Sequence, residues 1–305
     1  MPESNGDVLI LSTSKNGLRF HETKTKFGAL KVTIPNGPYH YGSQRNPNIE
    51  MVKQILKIPD RFEEPLESIV NININRTATF QKIIGFGGAF TGAVSHNLKE
   101  LLSSNLQNYV YESYYSNQKG NGYNLMRFPI GGCDFDVEPW AYNEFPEYDP
   151  FLTGFKQLDK RDIEKIDQVN QLKKVTGNHD IKIIGAAWSP PRWMKTNGEW
   201  SGFSALRDEY YQTWADYHVK YLELMHDSNF SFWAVSTGNE PLNGVAFPMF
   251  VKFMSLGWMP KEQGKWLGEN LGPAMKSSSK TSQIKVDKLF GLNVFHLEIS
   301  DSSWR

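Results

Sequence analysis

The chain is short of cysteine: Cys133 is the one such residue among 305. A single thiol excludes an intrachain disulfide and by itself favours a reducing compartment. It also excludes a cysteine zinc cluster, and the seven histidines show neither H-x-x-x-H nor H-E-x-x-H spacing. With no histidine nominated as its partner, Cys133 reads as a small buried residue rather than a nucleophile. An excess of one charge sign is missing as well. Lys plus Arg and Asp plus Glu each number 33, so formal net charge is zero and no basic stripe offers itself to nucleic acid. No apolar run reaches the roughly 18 residues of a membrane-spanning helix. The opening Met1-Pro2-Glu3-Ser4-Asn5-Gly6-Asp7 has neither a basic n-region nor a signal-type apolar stretch, so it predicts no route into the secretory pathway. Two glycosylation sequons, Asn75-Arg76-Thr77 and Asn229-Phe230-Ser231, argue the other way. No G-x-S-x-G elbow is present, and Gly85-Phe86-Gly87-Gly88 fits neither G-x-G-x-x-G nor the P-loop.

What is plentiful is aromatic: 9 Trp, 13 Tyr and 19 Phe. Their flat apolar faces suit sugar rings, although most such rings simply pack in a core. The length allows one large α/β domain with an appendage. Residues 1–79 read as a partial β-rich flank. Val8–Thr13 and Leu30–Ile34 look like short strands, a Pro/Asn-rich stretch fills 36–48, and Ile69–Asn75 alternates like a half-exposed antiparallel strand.

From Phe80 onward strands and helices alternate without an internal repeat. Strands are predicted at 83–90, 123–130, 181–188, 230–236 and 284–292. Helices are predicted at 95–115, 160–175, 209–225 and 260–275, the first with Leu98, Leu101, Leu102 and Leu106 on one face. This alternation implies a parallel sheet. A closed barrel takes eight units and about five are countable, so residues 80–305 are expected to be the N-terminal part of an incomplete (β/α)₈ TIM barrel. An open sheet is the competing reading, disfavoured because the Gly-rich first strand carries no phosphate-binding turn.

The strand ends carry the chemistry. Trp233-Ala234-Val235-Ser236-Thr237-Gly238 is an apolar strand running into Asn239-Glu240-Pro241. A glutamate at the C-terminal mouth of a barrel strand can donate a proton to a glycosidic oxygen, and a neighbouring asparagine can orient a sugar hydroxyl. The competing role for Glu240 is a surface cap or salt bridge. Asp134, after the second strand, either accepts from sugar hydroxyls or caps a helix. Trp193, after the third, either packs on a ring face or sits in the core. Their convergence on one barrel face gives the functional roles joint weight.

Taken in order, Phe80-Gln81-Lys82, Gly85-Phe86-Gly87-Gly88-Ala89, Gly122-Tyr123-Asn124, Arg127, Cys133-Asp134-Phe135, Trp193, Lys195-Thr196-Asn197-Gly198, Gln212-Thr213-Trp214-Ala215 and Phe232–Pro241 resemble the lysosomal glucosylceramidases of glycoside hydrolase family 30. The resemblance implies hydrolysis of the β-glucosidic bond of glucosylceramide with retention. It implies Glu240 as acid/base, Asn239 as the holder of the 2-hydroxyl, and Asp134 and Trp193 as glucose contacts. It further implies no metal or organic cofactor, a lysosomal location, peripheral work at a membrane surface and a saposin-type activator. Retaining hydrolysis needs a second carboxylate. The family's nucleophile stands about a hundred residues beyond the acid/base, whereas 65 residues follow Glu240 here. Glu298 is the late glutamate after an apolar run, but it is too near in sequence for three further strand–helix units. The expectation is therefore that the nucleophile is not in this chain. The alternative to an active glucosylceramidase is an inactive or sugar-binding form of the same family.

Overall fold

The computed structural model describes residues 7–12, 21–26, 77–80, 82–100, 103–246 and 248–287. The chain divides into two units, Met1–Ile84 and Gly85–Arg305. In the first, β1 (Asp7–Ser12) pairs antiparallel with β2 (His21–Lys26), from Asp7 opposite Lys26 to Ser12 opposite His21. The strands expected at Leu30–Ile34 and Ile69–Asn75 lie outside the described residues.

The second unit alternates strands and helices as the hydrophobic pattern predicts. In order it holds β3 (Gly87–Ala89), α1 (Gly92–Glu100), α2 (Ser104–Tyr115), β4 (Leu125–Ile130), α3 (Lys160–Thr176), β5 (Lys182–Ala187), α4 (Tyr211–Asp227), β6 (Ala234–Ser236), α5 (Pro260–Trp266), α6 (Gly272–Ser277) and β7 (Lys285–Asp287). The five strands pair parallel in the order β3-β4-β5-β6-β7. Every strand lies beside its successor, and helix-bearing segments link them. That is the winding of a TIM barrel, with five of its eight strands on view.

Local chemistry sets the boundaries. The helix expected over 95–115 is two helices, because the Ser103 side chain accepts from the Leu106 amide and starts α2 afresh. The restart turns Leu106 outward, 50% exposed, while Leu98 stays buried. Helix α3 opens on Asp159, whose side chain accepts from the Arg161 amide, and closes on Gly177 at φ 66°. Between α5 and α6 the helix widens into a π turn at Leu267–Leu271, just ahead of Pro273, which cannot donate back to the preceding turn.

The Gly-rich first strand now has a physical reason. A Cβ on Gly87 would stand 1.8 Å from the Leu125 carbonyl oxygen, so the β3–β4 approach requires glycine. Strands β4 and β5 place Met126, Phe128 and Ile183 in the core. Opposite them, helix α4 buries Trp214, Tyr217, Tyr221 and Met225. Lys165 and Asp162 pair at 2.6 Å in the interior, with Lys165 Nζ 4.3 Å from the Phe128 ring centre. Phe128 thus faces the helix layer, and by the two-residue period of a strand Arg127 faces the barrel interior.

Candidate active site

The site is assembled where β4, β5 and β6 end. Arg127, the one cation in β4, sends Nη2 to Asn239 Oδ1 at 2.8 Å, and its guanidinium lies 4.4 Å from the centre of the Trp188 ring. The Asn239 amide donates to the Ala187 carbonyl at 2.9 Å, tying the end of β6 to the end of β5. Asn239 is buried, and its side-chain oxygen is fixed by a cation that itself rests on an aromatic face. Burial works against the charge on Arg127, and the carboxylates of Glu240 and Asp134 favour it.

Glu240 follows in the left-handed region, φ 43° and ψ 61°. For a residue with a Cβ this costs about 1–2 kcal/mol. The strain is held by its surroundings. Gly238 supplies the preceding turn at φ 152°. Gln263 of α5, 3% exposed, donates to both the carbonyl and hydroxyl oxygens of Thr237 at 3.2 Å. On the far side Pro241–Gly244 makes a 3₁₀ turn in which Asn243 donates its amide to the Glu240 carbonyl and its Nδ2 to Glu240 Oε2 at 2.6 Å. The Trp258 amide grips the Pro241 carbonyl, and the Ser204 amide grips that of Gly244, each at 3.0 Å. Glu240 is half-buried, with a carboxyl oriented by a neutral donor.

The loops around it are pinned by Lys195. This side chain, wholly buried, donates Nζ to the carbonyls of Trp200 and Ser255, both at 2.8 Å. Burial brings its pKa down to about 7, with Glu144 and Glu199 opposing.

Asp134 is exposed, and its carboxyl lies within electrostatic reach of Arg127 and Glu240. Desolvation pushes its carboxyl up and the Glu240 charge adds to that, while the Arg127 charge pulls it down. Arg127 thus binds Asn239 directly and feels the charges of both Glu240 and Asp134. Trp193 is placed differently. It is 4% exposed, its Nε1 donates to the Asn143 carbonyl at 2.8 Å, and its ring packs edge-on against Tyr210 at 4.9 Å. Cys133 is buried at 3%, and burial lifts its thiol to about 12, far from nucleophilic duty. Among the described residues, no group of three His, Cys, Asp or Glu side chains is arranged to hold a metal. Glu298 lies outside the described residues.

Three participants had no role assigned from sequence: Arg127, Trp188 and Asn243. Arg127 carries a readable signal, a charge inside an otherwise apolar strand. Asn243 is legible only once Glu240 is known to cap a 3₁₀ turn, which puts the third following residue over its carboxyl.

Parallel strands wound in sequence order, with polar residues gathered at the C-terminal end of one of them, define a class: β/α barrels, which carry their chemistry at that mouth. Within that class, the chain belongs to glycoside hydrolase family 30, since the profile of the Glycosyl hydrolase family 30 TIM-barrel domain matches residues 83–292. The lysosomal acid glucosylceramidase of Mus musculus is 34% identical over 229 residues, covering 70% of this chain and 43% of the mouse protein. An endo-1,6-beta-D-glucanase of Trichoderma harzianum is 28% identical over 281 residues, covering 84% of this chain and 55% of the fungal one. Among solved structures, an endo-beta1,6-glucanase superposes with a TM-score of 0.60 at 26% identity, covering 70% of this chain and 45% of that one. The chain thus spans about half the length of the curated relatives it matches.

Proposed function

We propose that this chain bears the acid/base half of a retaining β-glucosidase that hydrolyses glucosylceramide to glucose and ceramide. Glu240 is the proton donor to the leaving glycosidic oxygen, and Asn239 holds the 2-hydroxyl of the glucose. Asp134 accepts from other hydroxyls. Trp193 is the sugar contact with least support, because 4% of its surface is open. The observation that carries the reading is the chain Trp188–Arg127–Asn239 beside a strained, Asn243-oriented Glu240. Strain held by several independent contacts is characteristic of functional positions.

Double displacement requires a second carboxylate about 5 Å from the first. None of the described residues is assigned that part, and we place the nucleophile outside this chain. A lysosomal location, peripheral action at a membrane and a saposin-type activator accompany the glucosylceramidase reading through the resemblance and the 34% identical mouse relative. The second reading is a β-glucan substrate, favoured by the two glucanase relatives.

The test is turnover of a fluorogenic β-glucoside near pH 5 by the purified chain. The expected result is neither burst nor steady release. Release abolished by Glu240→Gln but not by Glu298→Gln would place a nucleophile within the chain other than Glu298 and overturn that part of the proposal.

A further inference from the structure

We propose that Asn229 is an N-glycosylation site, carrying its oligosaccharide at the end of the barrel opposite the catalytic mouth. The tripeptide Asn229-Phe230-Ser231 satisfies the acceptor pattern, and its geometry does what such a pattern alone cannot show. Helix α4 ends at Asp227, and the next residues close it by two reversed hydrogen bonds. The Phe230 amide donates to the Met225 carbonyl and the Asn229 amide to that of His226, both at 2.9 Å. This is a Schellman closure with Asn229 in its left-handed position, φ 56°. The backbone is then anchored by Phe230, 1% exposed, whose ring lies 5.0 Å from that of Phe128. Asn229 and Ser231 both stand in solvent on either side of that anchor. Among the described residues the Asn229 carboxamide has no hydrogen-bond partner, so its modification breaks no interaction.

Strand β6 runs from this turn to the mouth, and Glu240 leaves its far end. An oligosaccharide on Asn229 therefore projects from the N-terminal side of the sheet, where barrel residues serve stability rather than chemistry. In the transfer, the Asn229 Nδ2 attacks the anomeric carbon of a polyprenyl diphosphate-linked oligosaccharide. A C–N bond forms, the C–O bond to the diphosphate breaks, the amide loses one proton, and the polyprenyl diphosphate leaves. Modification here requires that the chain meets a lumenal glycosylating compartment, a conclusion independent of the chemistry proposed for Glu240.

The experiment translocates the full chain into a eukaryotic secretory host behind a cleavable leader, with Asn75→Gln present so that one native sequon remains. A control version carries an added sequon on an exposed terminal tag. The Asn75→Gln chain is expected to run faster after peptide N-glycosidase treatment in the soluble fraction, with the peptide spanning residue 229 converted from Asn to Asp. Adding Asn229→Gln or Ser231→Ala abolishes the shift, and Ser231→Thr keeps it. The proposal is overturned if the tagged control is glycosylated while Asn75→Gln migrates identically before and after digestion. It is overturned equally if modified chain occurs in the insoluble fraction alone, because the folded molecule then does not carry the sugar.

Discussion

At the scale of single residues, Arg127 decides how well the mouth is prepared. Its hydrogen bond to Asn239 is charge-assisted and shielded by the Trp188 ring, conditions in which such a bond contributes about 1.5–3 kcal/mol. Arg127→Met keeps the stem but releases the Asn239 carboxamide. The expected outcome is a loss of roughly 10- to 100-fold in affinity for a glucose-analogue inhibitor, with the folded state retained. Asn243→Ala tests the neighbouring interaction. It frees Glu240 Oε2 from a neutral donor, and a weakening of about 0.5–1.5 kcal/mol in the same binding assay is expected. Part of this site is legible in the sequence. Asn239-Glu240 stands out because an apolar strand ends in polar residues, and Asp134 because it follows another strand. The role of Arg127 is not legible, since it depends on which strand lies two positions away across the sheet. Trp193 illustrates the opposite difficulty. The same motif serves a ring contact or a core indole, and the Asn143 carbonyl that holds it comes from a loop 50 residues distant.

At the scale of elements, the helices and strands β4, β5 and β6 follow from periodicity because each helix has one apolar face and these strands are nearly continuous in their apolar runs, whereas β2, His21–Lys26, is polar throughout and is not among the predicted strands. The departures are local. A capping serine at 103 splits one expected helix, and proline at 273 reshapes another, both through hydrogen bonds that a hydrophobic pattern does not encode. The glycines of the first strand support a negative conclusion from sequence, that no phosphate turn is present. The structure adds the positive one, close backbone approach. Gly87→Ala forces a methyl group onto the Leu125 carbonyl, so β3 must separate from β4. The expected cost is about 1–3 kcal/mol, read as a lowered midpoint in chemical denaturation. Gly264→Ala is the control. Nothing lies within 4 Å of its added Cβ, and it sits in helix α5, so it should stabilise by up to about 1 kcal/mol.

At the scale of the whole molecule, one contribution to acid stability comes from a histidine that the chemistry does not use. His218 in α4 is fully buried against Trp214, Tyr217 and Trp266, with Nδ1 2.8 Å from the Trp214 carbonyl. Burial lowers its pKa from 6.5 to about 4. A depressed folded-state value means that the unfolded chain binds the proton more readily. The stability due to neutral His218 is therefore complete above pH 6.5 and is lost as pH falls through about 4. Lys195 has the same sign in a higher window, its contribution growing from about pH 7 to 10.5. His218→Gln is expected to flatten the fall in denaturation midpoint between pH 6.5 and 4. An unchanged pH slope would show that His218 does not set this dependence.

The claim that Asn239 and Glu240 form the floor of a glucoside site is tested most directly by calorimetric titration of a cationic glucose-analogue inhibitor near pH 5. One site per chain is expected in the wild type. Affinity should fall at least about tenfold in both Glu240→Gln and Arg127→Met, the size of effect that removal of one charge-assisted hydrogen bond produces. Binding that is absent in the wild type, or that is unaltered by both substitutions, contradicts it.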